Sequence, residues 1–70
     1  MPRTVTAKFE TEGAARNAKE DLIHSGIPAE KVHLEEADRE VKVIVPEPSE
    51  REAQEILRRH EPVEVESHEV

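Results

Sequence analysis

Residues Lys31–Pro46, KVHLEEADREVKVIVP, decide the fold of this 70-residue chain. In Lys31–Glu35, Val32 and Leu34 alternate with polar residues, the period of a half-buried strand. Glu36–Arg39 is wholly polar apart from Ala37 and reads as a turn. Glu40–Val45 resumes the alternation, with Val41, Val43 and Val45 on one side. Pro46 stops it, because proline cannot donate to a strand ladder. The stretch is therefore a hairpin, and the rest of the chain supplies a helix and a strand on each side of it.

On the N-terminal side, Thr4–Glu10 (TVTAKFE) places Val5, Ala7 and Phe9 on one face of a strand. Thr11–Ser25 reads as a helix with Thr11 as N-cap and Glu12 at the positive end of the helix dipole. Ala14, Ala15, Ala18 and Leu22 fall within one arc of about 100°. So small a face lets the helix approach a sheet closely. Gly26 suits a left-handed residue just past the helix end, and Pro28 prevents continuation. On the C-terminal side, Ser49 and Glu52 have the spacing of a capping box. Ala53, Ile56 and Leu57 form the apolar stripe of a second helix ending in Arg58, Arg59 and His60. Pro62 ends it, Val63 and Val65 mark a fourth strand, and residues 67–70 read as a short acidic tail.

The order is β-α-β-β-α-β. Two interleaved right-handed crossovers produce a ferredoxin-like α+β sandwich. It has a four-stranded antiparallel sheet of strand order 4-1-3-2, with two helices on one face. The reading is one domain spanning residues 1–70.

Composition narrows the chemistry. The chain carries 17 Asp and Glu against 10 Lys and Arg, for a net charge of -7. That balance opposes nucleic acid, whose affinity rests on basic residues neutralising phosphates. There is no cysteine, hence no disulfide, thiolate ligand or thiol nucleophile. No run of about 18 apolar residues exists to form a membrane span. Met1–Val5 enters a strand pattern without the apolar run of a signal peptide, so the expectation is a cytoplasmic protein. Val, Ile, Leu and Phe together number 16, and Phe9 is the single aromatic residue. The core is therefore lean, as befits a domain at the small end of independent folding.

The first half of the chain resembles the small bacterial heat-induced, or general stress, protein family. The resemblance lies in Phe9-Glu10 closing the first strand, the Ala- and Glu-rich helix over Ala14–Leu22, the Gly26-Ile27-Pro28 stop and the strand over Val32–Leu34. It implies a cytosolic, stress-linked, non-enzymatic domain. That family has no established catalytic residues to carry over, and the 70 residues hold no counterpart of its typical Gly-rich C-terminal extension.

Candidate chemistry is sparse. Metal chaperones of this topology carry a C-x-x-C pair in the first loop, whereas Glu10-Thr11-Glu12-Gly13 offers no soft ligand. Parity places His33 and His68 on opposite sheet edges, about 14 Å apart at ~4.8 Å per strand. His24 and His60 end antiparallel helices, so they are expected at opposite poles. Neither arrangement permits the ~2 Å ligand distances of a zinc site. His60 projects onto the Ala53/Ile56/Leu57 face, either as a pH-sensitive group or as a helix-end residue covering the core edge. Glu35, Glu36, Asp38 and Glu40 gather around the hairpin turn, without the spacing or glycine of a calcium loop. Ser25, Ser49 and Ser67 have no base at hand. Gly13 and Gly26 are the only glycines, so there is no phosphate loop. Catalytic, cofactor and metal sites are all expected to be absent.

The helix-free face of the sheet remains. Parity puts Thr4, Thr6, Lys8, Glu40, Lys42, Ile44, Glu64, Glu66, His33 and Glu35 there. RNA-recognition modules stack bases on aromatics at this face, and here there are none. Thr6, Lys8, Lys42 and Ile44 are the candidate interaction residues, with Ile44 expected to lie exposed at the centre. The sequence thus points to an acidic domain that acts by contact with a protein partner, without nucleic acid or membrane, and is monomeric by itself. The alternative is a dimeric small-molecule-sensing domain that pairs through this same face, as many ferredoxin-like domains do, with its ligand bound at the dimer interface. Gly13 in the first loop is its only support.

Overall fold

The side of the sheet carrying Val41, Val43 and Val45 is the core side. A computed structural model describes residues 1–69 of the chain. Strands β1 (Pro2–Lys8), β2 (Val32–Glu35), β3 (Glu40–Pro46) and β4 (Glu64–Glu69) form one sheet in the order β2-β3-β1-β4. Every neighbouring pair is antiparallel. Helices α1 (Glu12–His24) and α2 (Glu50–Arg58) cover one face. This is the ferredoxin-like α+β sandwich.

The register sets two inward rows, and Val45 opposite Arg3 begins a third. Leu34, Val41, Ala7 and Val65 lie side by side across the sheet, and Val32, Val43, Val5 and Ser67 form the next. Against them pack Ala15, Ala18 and Leu22 of α1, and Ala53, Ile56 and Leu57 of α2. Phe9 falls one residue past β1 yet is buried at 2% exposure. Its backbone N–H donates to the Arg39 carbonyl at 2.9 Å, pinning it to the β2–β3 turn.

The ends of α1 follow from its sequence. Thr11 Oγ1 accepts from the Ala14 N–H at 3.1 Å. At the other end Gly26 takes φ 110°. Its N–H donates to the Ile23 carbonyl at 3.1 Å, and the Ile27 N–H reaches the Leu22 carbonyl at 3.3 Å. This doubly bonded C-terminal turn requires a left-handed residue, and Ile27 then packs against the core as such turns favour.

Four expectations need correction. The capping box at Ser49 does not form: Ser49 has helical dihedrals and makes no side-chain cap bond. A single 3-10 turn over Glu47–Ser49, with Pro48 inside it, leads the chain into α2 instead. Proline suits a first turn because its missing N–H is not needed there. The helix also ends earlier, at Arg58, with Glu61 in the left-handed region at φ 52°. Finally, Ser67, His68 and Glu69 are no tail, since they pair with Val5, Thr4 and Arg3 as the end of β4. Val70 lies outside the described residues. Val63, read as the start of this strand, precedes it and is 62% exposed.

Candidate functional site

The helix-free face is laid out by the same register. One row across β2, β3, β1 and β4 reads Glu35, Glu40, Lys8, Glu64. The next reads His33, Lys42, Thr6, Glu66. A third holds Ile44, Thr4 and His68, with no partner from β2. Pro46 and Pro2 close the face. Thr6, Lys8, Lys42 and Ile44 are thus gathered on the two central strands, as parity predicts.

Lys8 stands directly between Glu40 and Glu64, and Lys42 has Thr6 on one side and His33 on the other. The Lys42 ammonium lies 3.8 Å from Glu40, and His68 Nε2 lies 3.8 Å from Glu66. Across strands, Lys8 opposite Glu40 and Glu64 contributes about 0.2–1 kcal/mol per pair. Lys8 between two carboxylates favours this register, whereas Glu35 directly opposite Glu40 sets like charges against it.

Ile44 does not lie exposed at the centre of the face. It is half-buried and sits towards one end, in the row that β2 does not reach. β2 begins only at Val32, opposite Val43, so β3 continues for three residues, Ile44–Pro46, with β1 as its only neighbour. The resulting notch is floored by Ile44 and Pro46 and bordered by Lys31.

The histidines are placed as follows. His33 and His68 are on opposite edges of the sheet, three strand spacings apart, consistent with the parity reading. His60 is half-buried, with Nε2 3.0 Å from Asp21 Oδ2, and Arg59 approaches the same oxygen at 3.6 Å. Asp21 lies one turn before His24 in α1. The His60 side chain thus reaches the last turn of α1. α1 itself ends beside Ser49 at the start of α2, while α2 runs out towards Val63 and Lys8, so the two helix ends point to opposite ends of the sheet as expected. Of the acidic residues near the β2–β3 turn, Glu36 pairs with Arg16 at 3.2 Å and Glu40 lies 3.8 Å from Lys42, while Glu35 stands directly opposite Glu40. Among the described residues, no three His, Asp or Glu side chains are grouped so as to hold a metal ion.

One polar cluster was not legible as such. Arg3 Nε donates to Glu50 Oε2 at 2.9 Å, and the Ser67 hydroxyl donates to the same oxygen. These bonds, first Ser67's and then Arg3's, hold the Glu50 carboxyl below its ordinary range. The cluster joins β1, α2 and β4 on the helix-covered side. It is spread over 65 residues of sequence, and no local spacing signals it.

No helix is long and apolar enough to cross a membrane. Compared with models of protein families, with curated proteins and with solved structures, the chain matches none.

Proposed function

We propose that the protein is a non-enzymatic interaction domain that presents the helix-free sheet face, centred on Thr6, Lys8, Lys42 and Ile44, to a protein partner. The observation that carries this reading is the grid of side chains on that face. It combines two lysines, flanking carboxylates and a half-buried isoleucine at one end. A mixed-charge surface of this kind selects partners by complementary charge and suppresses wrong ones. The excess of carboxylates over basic residues supports a protein partner over nucleic acid or an anionic membrane. A cytoplasmic, stress-linked setting rests on the resemblance of the first half to the heat-induced protein family.

The test is site-specific photo-crosslinking in the cell that makes the protein. A photoreactive side chain replaces Thr6 on the open face or Glu55 on α2. Adducts with a discrete protein at position 6, abolished by Lys42→Glu, agree with the proposal. Adducts from position 55 alone would place the contact on the helical layer and refute it.

A further inference from the structure

The notch left by the short β2 strand has the makings of a ligand site. Two adjoining hollows of about 330 and 310 Å³ meet there and share Lys31, Ile44 and Pro46. Both are at the small end of the range for small-molecule sites. Pro2, Pro28, Pro46 and Pro48, four of the five prolines in the chain, contribute to the walls. Proline has one fixed backbone dihedral and almost no side-chain freedom. Such walls are already shaped before a ligand arrives, which lowers the ordering cost of binding.

The polar groups are few. In the second hollow, Lys31 is the only charged residue, and it enters none of the ion pairs formed among the described residues. Ser49 lines the same hollow, and its hydroxyl does not cap α2. An ammonium and a hydroxyl beside Ile27, Ile44 and Val45 suit one anionic head on an apolar body. Glu47 lines only the first hollow, so the head is favoured over the second and the apolar body over Pro2 and Pro46.

We propose that this notch binds a small amphiphilic carboxylate, with its anion on Lys31 and Ser49 and its apolar body on Ile44 and the surrounding prolines. The site shares Ile44 with the proposed protein-contact face but lies wholly within a single isolated chain.

The experiment is an NMR titration of the isotope-labelled protein with sodium octanoate below its micelle concentration, with 1-octanol as the uncharged control. Expected are saturable shifts confined to Ile27, Lys31, Ile44 and Ser49. Lys31→Gln should weaken octanoate binding about fivefold, the effect of losing one solvent-exposed ionic contact, and leave 1-octanol binding unchanged. Lys31 is exposed, so the variant is expected to keep the wild-type spectrum elsewhere. Shifts that never saturate or that spread over the surface would overturn the proposal. So would equal affinity for octanoate and 1-octanol, or an octanoate affinity unaffected by Lys31→Gln.

Discussion

Arg3 and Glu50, 47 residues apart in the chain, meet at 2.9 Å, and Ser67 donates to the same carboxylate oxygen. The relationship fastens the start of β1 and the end of β4 to the first turn of α2. It needs Glu50 ionised, because a carboxylate accepts both bonds.

The Glu50 carboxyl is held below its ordinary range by these partners. A group whose folded value is depressed stabilises the fold above its unfolded value and loses that contribution as pH falls through the folded value. Wild type should therefore be more stable than Glu50→Gln at neutral pH, and the gap should close as pH drops below the ordinary glutamate range. Urea midpoints of both proteins across that range check this. A gap independent of pH would contradict it.

Phe9 is the largest fully buried side chain and the only aromatic one. Phe9→Ala should cost about 3–5 kcal/mol, comparable to the whole stability of a domain this small. Far-UV circular dichroism should show a largely unfolded variant at room temperature. A near-native melting point would contradict the inward placement.

Ser49 tests the correction at α2. An N-cap serine replaced by alanine costs about 1 kcal/mol, but Ser49 makes no cap bond. Ser49→Ala should therefore change stability by less than about 0.5 kcal/mol, as for a surface site without a special role. A urea midpoint shift of full cap size would restore the capping box.

Glu61 holds φ 52° while exposed to solvent. Glycine occupies this region without the Cβ clash. Glu61→Gly should raise stability by about 0.5–1 kcal/mol, the relief of left-handed strain net of glycine's extra unfolded-state freedom. Thermal melts in parallel with wild type measure it, and a lowered melting point would count against the assigned turn.

Much of the fold was legible because it is written in short-range patterns. The alternation in Val41–Val45 fixes which side of β3 is buried, and Thr11 and Gly26-Ile27-Pro28 bound α1 through bonds to their own helix. The same parity located Thr6, Lys8 and Lys42 correctly. What escaped was set by length and by distant partners. Ser67–Glu69 lack a hydrophobic alternation, and β1 recruits them into the sheet through backbone pairing. Ile44 reads as one more outward residue of β3, and only the late start of β2, at Val32, makes it the floor of a notch. Ser49 has the residue type of an N-cap, but Pro48 in the preceding turn already leads the chain into helical geometry, leaving Ser49 inside that turn and its hydroxyl uncommitted.

The central claim is that the open sheet face serves a different protein and is not used for self-association. Sedimentation equilibrium of wild type and Ile44→Asp at micromolar concentration tests it most directly. The account predicts the mass of one 8.0 kDa chain for both proteins. A wild-type dimer that Ile44→Asp dissociates would contradict it and make the face a homodimer interface.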